Sequence, residues 1–545
     1  MPESLSVGRV LGGGSFPEIG EPLVALRCEA RGEIAVGGDL GNLYWSGRSV
    51  SGWRGHRVGV YGLDGLDCRQ VVGTRWPVNS LDFHPSLPLL AVGTGSYDGG
   101  YLFEGELLLV HLTNGTVVSA LEHHREVRRV RWREDGLALE LVVAPPDENA
   151  AKKPFTHGSA VAVEREDWLA VADRSIAAHE LIGPRVEAGR RPDGAEEAAR
   201  DMVDALGDAR EKRRSSRRQV WAVEALADGR VLAALEGTKL ESWLPSGRFQ
   251  WSVPDPDGAR QLYVCPDQES AWVHVAHPGR WSGSGWKDRN STVERLSLAD
   301  GSTLDTAEVA FPAVLTADLD GRIALRDTRQ DEPKSPIVLL SPEHRESVGV
   351  AIGGYDCFNN YFPVRYSPEL LFLQGKKKKY WKDKWIVSVI PRADGGEPEI
   401  RRLFPLEWDT DRHGHLWGGP AVRLADDSGE GGALVHAGEV HDSQGPQPER
   451  AFIVRRRFPD GLPQWLFTAD HPATALDTDG QIIFAALSSG EVVALDAADG
   501  TLRWRTRLGV DGIPTVPLSL AVAGPRQLLI GTVDGRILVC EIAAD

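Results

Sequence analysis

One strand–turn phrase recurs along the chain, and it limits the fold more than any other feature. Fourteen aspartates directly precede a glycine, from Asp64 to Asp534. Asp-Gly supplies the positive φ angles that tight hairpin turns require. Most of these pairs flank short apolar or alternating runs that read as strands. Residues 105–115 read GELLLVHLTNG, 320–328 read DGRIALRDT, 490–500 read GEVVALDAADG and 534–542 read DGRILVCEI. Further copies lie at 238–247 and 293–301, with weaker ones at 58–65, 168–183, 385–395 and 450–461. A second phrase stands upstream of several copies. VNSLDFHPSLPLLAVGTG (78–95), HPATALDTDGQIIFAALSSG (471–490) and LSLAVAGPRQLLIGTVDG (518–535) each read strand, turn, strand, small-residue turn. An antiparallel meander repeating every 40–65 residues is the signature of propeller blades.

The expected fold is therefore all-β: a closed β-propeller of four-stranded antiparallel blades, seven to nine in one ring. The run SLSVGRVL (4–11) is placed beside 534–542, where it would complete the last blade and remove a free sheet edge. A length of 545 residues would ordinarily suggest three or four domains, but a repeat fold absorbs it.

The motifs carry a family resemblance. VNSLDFHPSLPLLAVGTG and DGRIALRDT resemble WD40 repeats, with Arg326 where a Trp would usually stand. GEVVALDAADGTLRW, ending at Trp504, and the run to Trp251 resemble PQQ-like propeller repeats. The resemblance implies architecture rather than activity. Quinoprotein dehydrogenases are, as a family, exported and carry adjacent cysteines. This chain has no Cys-Cys pair and no recognisable secretory leader, so no quinone and no other cofactor is expected.

One segment interrupts the strands. The chain is read as blades over 1–183, a charged insertion over 184–219, and blades again over 220–545. Within the insertion, Ala195, Ala198, Ala199, Met202, Val203 and Leu206 follow helical spacing, and REKRRSSRRQ follows at 210–219. This reads as a protruding amphipathic helix with a mobile basic tail carrying Arg213, Arg214, Arg217 and Arg218.

Composition narrows the function. A formal charge of −17 excludes a broad nucleic-acid-coating role. Five scattered cysteines fit a reducing, cytoplasmic compartment. Two methionines among abundant Arg, Ala and Gly point to a GC-rich bacterial genome. No Walker loop, serine-hydrolase elbow or complete kinase set is present. The Asp-x-Asp-Gly runs at Asp255, Asp318 and Asp477 lack the rest of a calcium loop and read as turns. His413, His415, His436 and His441 lie near Asp409 and Asp411, but no helix fixes them, and no metal site is expected. The chain thus reads as a non-catalytic interaction scaffold, or a subunit of a larger assembly, with protein partners and no membrane. The alternatives are an enzyme whose site converges from several blades at the central channel, and a nucleic-acid-associated factor.

The candidate contact site is QGKKKKYWKDKW (374–385), where Lys376, Lys377, Lys378 and Lys379 stand beside Tyr380 and Trp381. Its place between two strand runs makes it a hairpin tip. Cations interleaved with aromatics suit an acidic partner. A solvated hairpin that uses lysines against edge pairing is the bland explanation.

Overall fold

In the computed structural model the alternating runs are antiparallel strands and the Asp-Gly pairs are the turns between them. At Gly321, for example, φ is +85°, which only glycine adopts without cost. The structure describes residues 4–41, 44–45, 48–49, 55–210, 217–277, 281–282, 285–286, 290–328, 336–340, 347–353, 362–376, 379–392, 396–406, 415–425, 432–442 and 445–543. The chain divides into two compact units: Gly13–Asn42 with Trp53–Ser216, and Met1–Gly12 with Leu43–Gly52 and Arg217–Asp545.

The smaller unit is a row of three four-stranded sheets. They open on Glu21–Cys28, Val78–Phe83 and Val127–Trp132. Val58 and Val60 of the first pack on Leu90 and Val92 of the second. Leu89 and Leu107 of the second pack on Leu139 and Leu141 of the third. The outer face of the first sheet is covered by a helix, α1 (Ala195–Ala209). Its Val203 is fully buried against Ile34, Val36 and Tyr61. The predicted helix therefore forms, but it packs rather than protrudes. Arg185–Glu187, expected within the insertion, is the fourth strand of the third sheet. Arg128 and Glu126, both 1% exposed, form an ion pair there, and Arg128 donates to the carbonyls of Pro154, His157 and Ala188.

Among its described residues the larger unit holds seven sheets of three or more strands, called I to VII, besides three two-residue hairpins. Sheet I opens on Arg218–Ala225, II on Gln261–Val264 and III on Ala313–Ala317. Sheet IV has three strands, from Leu370–Lys376 to Glu399–Pro405. Sheet V is built on His415–Leu424 and takes in the two-residue strand Val364–Arg365, which pairs with it in parallel. Sheet VI opens on Ala473–Thr478 and VII on Pro517–Gly524.

These sheets pack in a cyclic order. Leu232 of I meets Val273 of II. Val293 of II meets Leu325 of III. Ala324 of III meets Phe372 of IV. Ile386 of IV meets Leu434 of V. Ile453 of V meets Ile483 of VI. Val492 of VI meets Leu528 of VII. Ile537 of VII then returns to Ala233 of I. Leu5–Leu11 pairs antiparallel with Ile537–Ile542 and completes sheet VII, the position expected for it. Fully buried leucines of this kind contribute about 2–5 kcal/mol each on truncation to alanine. Neighbouring first strands also run the same way: Thr474 and Asp477 of VI bond to Pro517 and Val522 of VII. No helix among the described residues is long and apolar enough to cross a membrane.

Candidate functional site

The first strands of sheets I, V, VI and VII, with Arg260 and Gln261 at the start of sheet II, line a cavity of about 110 Å3 within the larger unit. Trp221 and Glu224 face it from I, Arg365 from V, Thr474 from VI and Ser519 from VII. Ligand pockets for small organic molecules run to about 300–1,000 Å3, so this one suits water or a small ion.

Its charges are already matched to each other. Arg365 donates through Nη1 and Nη2 to the two oxygens of Glu224, at 2.7 and 2.8 Å. Its Nε lies 3.4 Å from Oδ1 of Asp477. Asp477 is fully buried and accepts from the Tyr366 hydroxyl at 2.7 Å and from the backbone N–H groups of Thr478 and Val522. Tyr366 sits at φ +59°, a left-handed conformation that costs an aromatic residue about 1–3 kcal/mol. That strained turn directs both Arg365 and Tyr366 to Asp477.

Burial pushes the Glu224 carboxyl above its usual range, and the Arg365 charge offsets only part of that. Burial also works against the Arg365 charge, but Asp477 and Glu224 outweigh it and hold the guanidinium protonated. Tyr366 is raised by burial and by the nearby carboxylates. The arrangement is a closed ion cluster with one carboxyl of raised proton affinity.

The residues singled out from sequence lie elsewhere. Lys376 and Lys379 face each other across the hairpin of sheet IV, with Tyr380 and Trp381 on the following strand. The strands on either side of the predicted tip are paired, while the tip itself, Lys377 and Lys378, and the side chains around it lie outside the described residues. Arg213 and Arg214 also lie outside them. Arg217 is turned inward: it pairs with Glu241, stacks 5.4 Å from the Trp243 ring centroid and donates to the Gly535 carbonyl. Arg218 begins the first strand of sheet I, opposite Glu236.

The histidine group separates. His415 and His441 share a register position on adjacent strands of sheet V. His436 is buried between the Phe362 and Phe452 rings, and its Nε2 accepts from Arg456 at 3.2 Å. Burial and Arg456 lower it to about 3. His413, Asp409 and Asp411 lie outside the described residues. Among the described residues no group of histidine, cysteine and acidic side chains could hold a metal ion. Asp255 and Asp318 bind backbone N–H groups of their own loops, which is a turn role.

Sequence reasoning missed Arg365 and Glu224, and read Asp477 only as a turn residue, whereas it also accepts from Tyr366 and Val522 and faces Arg365. A signal exists for the acids: each is the lone acid late in a largely apolar first strand, RQVWAVEA and ATALDT. Asp82 occupies the same place in VNSLDF, and its Oδ2 accepts from the Trp132 N–H of the next sheet at 2.6 Å, as Asp477 does from Val522. Arg365 has no such pattern. Neither a protein-family model nor a curated protein matches this chain.

Proposed function

We propose that the chain is a non-catalytic protein-interaction scaffold, and that its larger unit is a closed seven-bladed β-propeller of the WD40/PQQ-like kind. The cyclic order of the seven cores and the closure of sheet VII by the N-terminal strand support the ring. The observation that carries the scaffold reading is the cavity. Arg365 is held by two carboxylates, Arg260 pairs with Glu236, and the volume leaves no room for an ordinary substrate. Function then falls to the loops and hairpins that a rigid ring displays. The docking element is the hairpin tip with Lys376 to Lys379, Tyr380 and Trp381, and its partner is an acidic protein surface. Cys28, Cys68, Cys265 and Cys540 are free thiols, which supports a cytoplasmic setting.

The test is capture from the native host's lysate by the intact chain and by two variants. One replaces the four lysines with serine, and the other is Trp381→Ala. A partner held by the hairpin associates more slowly with the first and dissociates faster from the second. Unchanged rates in both return the hairpin to a solvated turn. An enzyme at the cavity is the second reading, favoured by the raised proton affinity of Glu224. Under it, Glu224→Gln abolishes a turnover while partner capture stays intact.

A further inference from the structure

Two neighbouring sheets of the smaller unit each carry an insertion between their second and third strands. The first is the hairpin Ser96–Tyr97 and Phe103–Glu104. The second is the segment 144–156. The two are stitched together. Leu102 bridges Asp147, the Glu148 N–H donates to the Tyr101 carbonyl and the Phe103 N–H to the Pro146 carbonyl.

Three rings form a mutual cluster at this junction. Tyr97, Phe103 and Phe155 stand 5.1–5.2 Å apart, centroid to centroid. Phe103 is buried over the locked Arg128 guanidinium, which also donates to the Pro154 carbonyl and so fixes the backbone that carries Phe155. The outer surface stays bare: Tyr101 is 42% exposed, Leu102 40% and Phe155 51%. Among the other described residues the exposed large apolar side chains are separated from one another in sequence, as is ordinary for a surface. Here Tyr101 and Leu102 adjoin in sequence, and Phe155 joins the same base through its ring contacts with Tyr97 and Phe103.

The surrounding charge is acidic. Asp98 accepts three backbone N–H bonds from Gly100, Tyr101 and Leu102, which hold it ionised below the usual carboxylate range. Asp147 and Glu148 flank the rings, and Glu148 accepts from the Tyr97 hydroxyl at 2.6 Å. Lys152 and Lys153 precede Phe155 by three and two residues, so the acidic side of the junction is the one that carries Asp98, Asp147 and Glu148. Aromatic faces beside fixed carboxylates are the setting that a guanidinium prefers, through cation–π contact and paired hydrogen bonds. The base is fixed before binding, so little ordering cost falls on the protein side.

We propose that Tyr101, Leu102 and Phe155, with the carboxylates of Asp98, Asp147 and Glu148, form a docking surface for an arginine-bearing, partly apolar peptide segment of a partner protein. This is a second site of the scaffold, opposite in charge preference to the lysine hairpin.

The test uses the full chain and fluorescence anisotropy with a labelled octapeptide of alternating arginine and leucine. A matched peptide carries neutral citrulline in place of arginine. The arginine peptide is expected to bind in the micromolar range and the citrulline peptide at least about tenfold more weakly. Phe155→Ser combined with Tyr101→Ser is expected to weaken the arginine peptide about tenfold or more, with Tyr101→Ser alone intermediate. Neither substitution changes the net charge, so diffuse attraction to an acidic chain would be unaffected. Equal binding of both peptides, or unchanged binding by both serine variants at an unchanged melting temperature, overturns the proposal. The lysine-to-serine hairpin variant must bind the arginine peptide as the parent does, which separates this site from the hairpin reading. Preference for a glutamate–leucine octapeptide also overturns it.

Discussion

Arg365 and Glu224 lie 141 residues apart and meet in a two-pronged ion pair in the cavity of the larger unit. Removing the cation alone leaves the Glu224 carboxyl, already raised by burial, without the charge that offsets it. Arg365→Met should therefore cost about 2–4 kcal/mol, somewhat below the range for fully buried pairs because both side chains keep some solvent contact. Adding Glu224→Gln to that variant should recover a large part of the loss. A double-mutant cycle in urea measures the coupling, and a coupling near zero would show that the pair is incidental.

Two buried histidines make stability depend on pH. His274 and His436 are both lowered from 6.5 to about 3, chiefly by burial and then by a neighbouring arginine. Between those values the unfolded chain binds their protons and the folded chain does not. Stability is therefore full above about pH 6.5 and falls as pH drops toward 3. Each histidine contributes a slope of about 1.4 kcal/mol per pH unit in that window. His436→Gln keeps an acceptor for Arg456 and removes one titrating group. Urea midpoints from pH 7.5 to 4.5 should fall less steeply in this variant than in the parent; parallel curves would contradict the assignment.

Gly512 and Gly535 share a φ of +81° but not their surroundings. A Cβ at Gly512 meets nothing within 4 Å, whereas one at Gly535 would lie 2.3 Å from the Arg217 carbonyl oxygen. Gly512→Ala should cost only the left-handed penalty of about 1–2 kcal/mol. Gly535→Ala must also displace backbone, and should cost at least about 1 kcal/mol more. Melting temperatures of the two variants compare them directly.

Helix α1 is held by an apolar stripe on an otherwise charged segment. Val203→Asp places a charge in a site with no exposure, a change of about 3 kcal/mol or more. Trypsin should then cut at Arg200 and Arg210 much faster than in the parent under native conditions. Equal cleavage rates would mean that the helix does not depend on Val203.

The strands were legible because each obeys local chemistry. The alternation in GEVVALDAADG and DGRILVCEI maps onto Glu491–Asp496 and Ile537–Ile542, and the weak run SLSVGRVL onto Leu5–Leu11. The amphipathic spacing at 195–206 gave α1, but not its burial. A charged outer face looks alike whether the apolar stripe lies in solvent or on a sheet. The division into three sheets and seven was not legible, since the phrases are the same on either side of residues 184–219. The cavity cluster was harder still. Its arginine comes from a two-residue strand, and its acids come from strands 253 residues apart in sequence, Glu224 and Asp477. They meet only where the first strands of sheets I, V and VI line one cavity.

The cyclic order of sheets I to VII is the claim on which the rest depends, and electron microscopy of the intact chain views it directly. End-on averages of the larger unit should show seven radial densities around a narrow centre, with the N-terminal strand in the blade that also holds the C-terminal strands. An open arc, or a ring with any other number of blades, would contradict the account.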